Sequence, residues 1–212
     1  MPVELNDNGR ERLHFIDGDV PIPPYPRWAQ SNEALSSIAT LLLKFHRASA
    51  LVTAHLQTWS DELADPLGGT VVCHNDVCLE NVVFRDGVAV GLIDFDFAAP
   101  GRPLYDLAQF ARMCVPIDDE FSAERLGWNI GDNPARLRTV TDAYGLASEA
   151  RHDLIDILDH SMDRGEDFVR RRVAAGDLNF IRMLQEMGGI ERYARRRRWW
   201  EGRRKKFVAA LA

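Results

Sequence analysis

The chain has 212 residues, 46% of them hydrophobic, and a formal net charge of −6 at pH 7, which fits a single globular domain. Its apolar runs are shorter than the roughly 20 residues of a membrane helix, and it does not open with a signal-peptide pattern. Both features predict a cytoplasmic protein with no membrane partner. The odd number of cysteines, three, argues against a disulfide framework.

The N-terminal part of the chain combines an extended segment with a helix. The four prolines in residues 21–26 predict an extended linker. Ser31 is a favourable N-cap, and Glu33 lies in the first turn of the predicted helix. Apolar residues at helical spacing continue this helix to His46, which we interpret as a packing or surface residue rather than a catalyst.

A short strand at residues 70–73 precedes a β-hairpin. The hairpin strands are predicted at residues 82–84 and 88–93, and the turn between them contains the turn-forming pair Asp-Gly. Cys73 and Cys78 lie on either side of His74, but no second pair of Cys or His residues has zinc-site spacing. Buried thiols are therefore the default interpretation.

The rest of the chain is predicted to be helical. An apolar stripe runs from Leu104 to Cys114, and Pro103 lies in the first turn, where proline is tolerated. A long helix is predicted over residues 148–175, followed by a Gly-Asp pair that ends it and caps the next helix. The glycines at 188–189 predict a further break.

Residues 72–84 contain the motif that bears most directly on function. His74, Asp76 and Asn81 form the pattern His-x-Asp-x₄-Asn, which is the spacing of a kinase catalytic loop. The hairpin brings Asp94 back beside them. Mg²⁺ requires hard oxygen ligands from facing segments, and a hydroxyl acceptor requires a carboxylate that orients it and takes its proton. The pattern alone is weak, but with the hairpin it predicts a phosphotransferase site.

The residues of this motif divide between the acceptor and the metal. Asp76 is placed for the acceptor, whereas Asn81 and Asp94 are placed for the metal. Asp96 lies two residues beyond Asp94, and residues i and i+2 share one face of a strand. Either a metal contact or a structural hydrogen bond fits Asp96.

Together with residues 93–96 and 101–108, this loop resembles the aminoglycoside phosphotransferase family, which includes choline-kinase-like enzymes with a protein-kinase-like fold. The resemblance implies a mainly α (α+β) fold, the helical C-terminal lobe of a kinase with short β-hairpins around the catalytic loop. It also implies transfer of a γ-phosphate from ATP or GTP, with Mg²⁺, to a hydroxyl of an aminoglycoside or a similar amino-alcohol.

The resemblance also implies roles for single residues. It makes Asp76 the catalytic base and assigns Mg²⁺ to Asn81 and Asp94. Asp106, on the following helix, supports the catalytic loop from behind, and His74 packs that loop without moving protons.

Members of this family carry a β-rich N-terminal lobe with a phosphate-covering loop, a strand lysine and a helix glutamate, and residues 13–20 resemble only its last strand and the hinge. Residues 1–30 are therefore predicted to be a hinge remnant and an extended Pro-rich linker. Residues 31–212 would form the helical C-lobe, with the catalytic loop at 72–84 and a metal-binding segment at 92–96. A reduced protein, a start placed too late, or a lobe supplied by another molecule would each explain this pattern.

A kinase C-lobe without its partner lobe would expose the apolar side of the nucleotide cleft. We expect Phe15, Ile16 and Ile93 to line this cleft, with Val83 exposed near them. Exposed apolar patches mark interfaces, which predicts a homodimer or a bound partner that covers the region.

The charge is uneven, because nine basic residues fall within residues 191–207 while the remainder is strongly acidic. An acidic body suits a cationic acceptor, and a solubilising surface explains it equally well. We favour a terminal helix in which Ile190, Tyr193 and Trp200 pack on the body while its arginines pair with acidic residues, so nucleic-acid binding is not expected. Residues 118–120, all acidic, are predicted to form a solvated loop rather than a cation-binding rim.

Three functions stay open on sequence alone. The first is a phosphotransferase, which the combination of Asp76, Asn81 and Asp94 favours. The second is a catalytically silent kinase-like binding protein, favoured by the missing lysine strand. The third is an oligomeric interaction module that uses the basic C-terminal segment.

Overall fold

The computed structural model describes residues 2–5, 11–52, 58–129 and 131–212, with side chains from residue 12 onward. Over these ranges the chain is mainly helical, which confirms the predicted class. The helices are α1 (Asn32–Ser49), α2 (Pro103–Cys114), α3 (Glu120–Arg125), α4 (Asn133–Tyr144), α5 (Ser148–Ala174), α6 (Leu178–Glu186) and α7 (Glu191–Leu211). Of the helices described, none combines the length and the apolar character that crossing a membrane requires.

The strands in the described ranges form short antiparallel pairs. They are β1 (Pro2–Leu5) with β2 (Glu11–Leu13), β3 (Val71–Cys73) with β6 (Ala99–Gly101), and β4 (Val82–Arg85) with β5 (Val88–Leu92). The β4–β5 hairpin is the predicted one. Its turn residues Asp86 and Gly87 have φ values of 52° and 77°, as a tight hairpin turn requires.

The N-terminal β1–β2 pair was not anticipated. The sequence predicted only a hinge remnant and a linker for residues 1–30, of which residues 1 and 6–10 lie outside the described ranges. The segment 14–18 that follows β2 has no regular structure. Asp19 and Phe84 then exchange backbone hydrogen bonds of 2.7 and 2.8 Å, which fix the segment on β4.

Local signals explain where several helices begin. The Ser31 hydroxyl accepts the N–H of Ala34 at 3.0 Å and so caps α1. The Asp177 carboxylate accepts the N–H of Asn179 at the start of α6. The caps of α1 and α6, the long α5 and the Pro103 start of α2 were all predicted from the sequence.

The hydrophobic core lies among α1, α2, α4, α5 and α7, with the β4–β5 hairpin against one side. The face of α1 toward α4 and the hairpin is fully buried, and α2 packs between the catalytic loop and α5. This arrangement leaves the carboxyl end of β5 and the loop after β3 at one edge of the domain. Large side chains with at most 1% exposure fill the core: Leu35, Ile38, Leu42, Phe84, Leu107, Phe110, Leu137 and Trp200.

The C-terminal helix α7 packs on the body largely as predicted. Tyr193 and Trp200 are buried, and Trp200 Nε1 donates to Asp159 Oδ1 at 2.5 Å. The prediction for Ile190 is wrong, because its side chain is 44% exposed. Ile190 is the N-cap residue of α7, and it lies beside the exposed Glu191 at the surface.

Arginines of α7 pair with acidic residues at the start of α3 and on α5. This confirms the prediction that the basic segment packs on the acidic body of its own chain. The prediction of a solvated loop at 118–120 is wrong, since Asp119 caps α3 and all three carboxylates bind arginine. The pairs are Arg192 with Asp118, Arg195 with Asp119, Arg203 with Glu120, Arg197 with Asp159 and Asp163, and Arg204 with Asp156 and Asp159.

Candidate active site

The loop after β3 is suspended from a buried carboxylate on α2. Asp106 accepts the backbone N–H of His74 on Oδ2 and that of Asn75 on Oδ1, both at 2.8 Å. His46 of α1 adds a third bond, from Nε2 to Oδ2 at 2.9 Å. Because the Asp106 side chain is fully buried, these donors are needed to satisfy its charge.

His46 belongs to this support. Its Nδ1 lies 2.7 Å from the Tyr144 hydroxyl while Nε2 faces Asp106. If the imidazole is neutral, Nε2 carries the proton and Tyr144 donates to Nδ1. The sequence interpretation of His46 as a packing residue agrees with its burial, yet it missed the polar chain that joins α4, α1 and α2 at the loop.

The His74 imidazole ties the catalytic loop to the end of the hairpin. The Asp76 N–H donates to His74 Nδ1 at 3.3 Å, so the proton of a neutral ring is on Nε2, which donates to the Ile93 carbonyl at 3.0 Å. The ring is buried and packs 4.6 Å from Phe95. Both nitrogens are therefore engaged within the protein.

Asp76 and Asn81 are joined directly. Asn81 Nδ2 donates to the Asp76 carbonyl at 2.9 Å and to Asp76 Oδ2 at 3.0 Å. The amide group is thereby oriented, and its Oδ1 is the atom left for another partner. A short 3₁₀ helix, Leu79–Asn81, places Asn81 at the start of β4.

The hairpin brings Asn81 and Asp94 together, because the Ile93 N–H donates to the Asn81 carbonyl at 3.0 Å. Asp94 is exposed and has a left-handed φ of 62°, a conformation that costs a residue with a Cβ about 1 kcal/mol or more. Non-glycine residues held in this region are frequent at functional sites. An amide oxygen of Asn81 and a carboxylate of Asp94 are hard ligands of the kind that Mg²⁺ binds, so the residues present fit the metal.

Asp96 does not lie on a strand beside Asp94, as the sequence analysis predicted. The strand β5 ends at Leu92, and Asp96 lies in a turn. The left-handed backbone of Asp94 also breaks the alternation of an extended segment. The prediction that the two carboxylates share one strand face is therefore wrong.

The predicted apolar residues of the nucleotide cleft differ in exposure. Phe15 is 88% exposed. Ile16 is half-buried over β5, so close that a Cβ at Gly91 would lie 2.7 Å from its Cδ1, and Ile93 is half-buried beside Asp94. The expected exposure of Val83 is wrong, since only 3% of it is accessible; Gly18 lies directly over it.

Burial raises the pKa of the Asp76 carboxyl above its ordinary value. The charges of His74 and Arg112 oppose that increase, while those of Asp94 and Glu80 add to it. A base with a raised pKa takes up a proton more readily at neutral pH. The environment of Asp76 therefore suits proton acceptance from a hydroxyl.

Arg112 near Asp76 was missed at the sequence level. Asp106, Gln109 and Arg112 lie on one face of α2 at intervals of three residues, and Arg112 Nε donates to Gln109 Oε1 at 3.2 Å. Polar residues at this spacing from Asp106 on an otherwise apolar helix are the signal that could have identified Gln109 and Arg112.

The thiols behave as buried side chains. Burial raises the pKa of Cys73, Cys78 and Cys114, so each stays protonated. In the described ranges, the ligand atoms of His46, Cys73 and Asp106 lie within 4.8 Å of one another, and Cys78 is outside that group. This favours the default interpretation over a zinc site spanning Cys73 and Cys78.

A model of the phosphotransferase enzyme family matches residues 11–140, a range that holds the suspended loop, the hairpin and α2. The chain belongs to this family. The trifolitoxin immunity protein of Rhizobium leguminosarum bv. trifolii is 33% identical over 158 residues, which are 73% of this chain and 59% of that protein. The chain thus spans less than two thirds of the length of this curated relative. No solved structure gives a significant match.

The family match covers the residues for which the sequence predicted chemistry, namely Asp76, Asn81, Asp94 and Asp106. Trp128, within the same range, is buried and packs against Tyr25 with ring centroids 4.7 Å apart.

Proposed function

We propose that this chain is a kinase-like C-lobe that transfers the γ-phosphoryl group of ATP or GTP to a hydroxyl of a small molecule in the cytoplasm. The observation that carries the proposal is the joint placement of Asp76, Asn81 and Asp94 by one suspended loop and one hairpin. Asn81 donates to Asp76 through its amide nitrogen, and its backbone carbonyl accepts the N–H of Ile93, the residue before Asp94.

In the proposed reaction, Asp76 binds and orients the acceptor hydroxyl. As the new oxygen–phosphorus bond forms, the hydroxyl proton moves to the Asp76 carboxylate, and the bond between the γ-phosphorus and the bridging oxygen breaks to release a nucleoside diphosphate. Asn81 Oδ1 and the Asp94 carboxylate would hold Mg²⁺, which neutralises charge on the transferred group when bound. Phe15, Ile16 and Ile93 would contact the nucleotide.

The name of the relative describes immunity to trifolitoxin. This favours an antibiotic-like acceptor for the present chain, whose hydroxyl would be phosphorylated. An aminoglycoside, or another amino-alcohol with a free hydroxyl, would be an acceptor of this kind. A silent binding protein is the second candidate, since the described residues alone do not supply the lysine–glutamate pair that grips phosphates in kinases.

The test is transfer of γ-³²P from ATP or GTP, with Mg²⁺, to a panel of aminosugars, amino-alcohols, hydroxy acids and sugar phosphates. The wild-type chain should label at least one acceptor, and Asp76→Asn should lower the rate by about 10²–10⁴-fold, the usual worth of a general base. Asp86→Asn, an equal change in the exposed turn of the hairpin, is the matched control. Nucleotide binding without transfer to any acceptor would favour the silent binding protein instead.

A further inference from the structure

A cavity of about 480 Å³ opens beside the catalytic loop. Cys78 and Glu80 of that loop line one side, and the end of α2 with α7 line the other. Trp128 and methionines of α6 supply apolar walls. Asp76 is not part of the lining, but Arg112 is, and its charge acts on the Asp76 carboxyl. A molecule in this cavity would therefore lie near the proposed base.

In the described ranges, Arg112 and Arg196 line this cavity more deeply than the exposed Arg125 and have no carboxylate in contact. Arg196 is 6% exposed, donates to the Met162 carbonyl at 3.1 Å and lies over the Tyr193 ring. Arg112 is half-buried and donates to Gln109 Oε1. Burial lowers the pKa of Arg112 and brings that of Arg196 to about 10, which reflects the loss of water around each charge.

The carboxylates of the cavity wall are already engaged. Both oxygens of Glu80 accept the Tyr25 hydroxyl at 2.9 Å. Asp118 pairs with Arg192 at 2.6 Å. Glu186, the further acidic residue of the lining, is exposed at the rim.

The contrast with the rest of α7 is informative. Arg197 and Arg204, on the α5 side, each bind carboxylates, whereas the buried Arg196 on the cavity side binds a neutral carbonyl. The carboxylates of Asp76 and Asp118 act on Arg112 through space, and that of Asp118 acts on Arg196. In the described ranges neither arginine has a directly bonded counter-ion, which is unfavourable for a buried cation. A planar guanidinium binds carboxylate and phosphate groups through paired hydrogen bonds, so an anionic ligand would satisfy both arginines.

We infer that this cavity holds the acceptor of the proposed reaction and that Arg112 and Arg196 bind an anionic group of it, a carboxylate or a phosphate. The identification of the ligand as the acceptor rests on the proposed function, whereas anion binding at this site does not require phosphoryl transfer. An anionic acceptor differs from the cationic acceptor that the acidic composition of the body suggested. Arginines of α7 neutralise several acidic residues outside the cavity, such as Asp119 and Asp159.

The experiment compares four probes that share one carbon skeleton: glycerate, glycerol 3-phosphate, glycerol and 3-aminopropane-1,2-diol. Binding is followed without nucleotide by calorimetry and by tryptophan fluorescence, to which Trp128 contributes. At least one anionic probe should bind about tenfold or more tightly than the neutral and cationic probes, since charge-assisted hydrogen bonds are the strong ones. The two anionic probes distinguish carboxylate from phosphate.

Arg112→Gln and Arg196→Gln should each weaken binding of the preferred anion by about tenfold or more. Arg198→Gln, an exposed position on the same helix, removes an equal charge and should leave binding unchanged. If Arg196→Gln does not fold, Arg112→Gln still decides the matter, because it should lose the anion while Arg198→Gln retains it.

Tighter binding of the cationic probe, no binding of either anionic probe, or wild-type anion binding by Arg112→Gln would overturn the inference. Anion binding without any transfer would retain the site and contradict the proposed function. Transfer restricted to cationic acceptors would do the reverse, so the two claims fail separately.

Discussion

The Asp106 carboxylate accepts the backbone N–H of Asn75 at 2.8 Å, across 31 residues of chain. Asn75 has a left-handed φ of 64° and immediately precedes Asp76, so this bond fixes the backbone that presents the proposed base. Asparagine tolerates this conformation better than most residues. The position of Asp76 therefore depends on α2 as much as on its own loop.

Asp106→Asn should destabilise the fold and disorder the catalytic loop. An amide has one acceptor oxygen in place of two, so at least one of the three donors on Asp106 would be left buried and unsatisfied. We expect a loss of about 1–3 kcal/mol in the free energy of unfolding, measured by urea denaturation. Asp167→Asn, at an exposed position of α5, should change it by less than about 0.5 kcal/mol; equal effects of both variants would contradict this account.

The transfer rate should fall on the acid side at a pH above the ordinary range of an aspartate. Transfer needs ionised Asp76, and burial raises the pKa of that carboxyl, so activity is lost as the pH decreases through the raised pKa. The Arg112 charge favours the ionised form, and Arg112→Gln should move the acid limb of kcat to higher pH. Rates are measured at saturating acceptor, with Arg198→Gln as the control; a shift to lower pH would contradict the assigned interaction.

Asp159 should matter more for stability than its partly exposed position on α5 suggests. Its carboxylate accepts hydrogen bonds from Trp200 Nε1, Arg197 and Arg204, and so joins α7 to α5. Asp159→Ala should lower the free energy of unfolding by about 1–3 kcal/mol, as measured by thermal or urea unfolding. Asp153→Ala, an exposed position on the same helix, should have little effect, and similar losses in both variants would argue against this network.

The N-terminal segment should promote association. Leu13, Phe15 and Ile22 are 61, 88 and 67% exposed, and large apolar side chains left in water favour an interface. We propose a homodimer or a bound partner over this surface. Light scattering across a broad concentration range should detect association of the wild-type chain and weaker association of Phe15→Ser. Leu178→Ser, at a position 73% exposed on α6, is the control, and a wild-type monomer throughout would contradict the proposal.

Local chemistry explains which features could be predicted from the sequence. The Ser31 cap and the Asp-Gly turn depend on a few neighbouring residues, and both were correct. The support of the loop by His46 and Tyr144 depends on the packing of α1 and α4 against α2, which no local pattern encodes. The burial of Val83 was missed for the same reason, since residues from far earlier in the chain cover it.

The charges around the cavity beside the catalytic loop illustrate the same limit. The acidic net charge left a cation-binding body and a solubilising surface equally open, because the distribution of partners decides which charges remain available. Arginines of α7 neutralise acidic residues at α3 and on α5, while Arg112 and Arg196 line the cavity without contacting any carboxylate of the described residues. Composition reports the sum of charges and cannot report this pairing.

The most direct test of the central claim is calorimetry of ATP or GTP binding with and without Mg²⁺. The wild-type chain and Asp76→Ala should bind nucleotide in a Mg²⁺-dependent manner at up to about millimolar concentration, because Asp76 serves the acceptor. Asp94→Ala should lose this dependence, since it removes the charged metal ligand, while Asp86→Ala in the hairpin turn should bind as the wild type does. Absence of nucleotide binding by the wild type, or Mg²⁺-dependent binding that survives Asp94→Ala, would contradict the account.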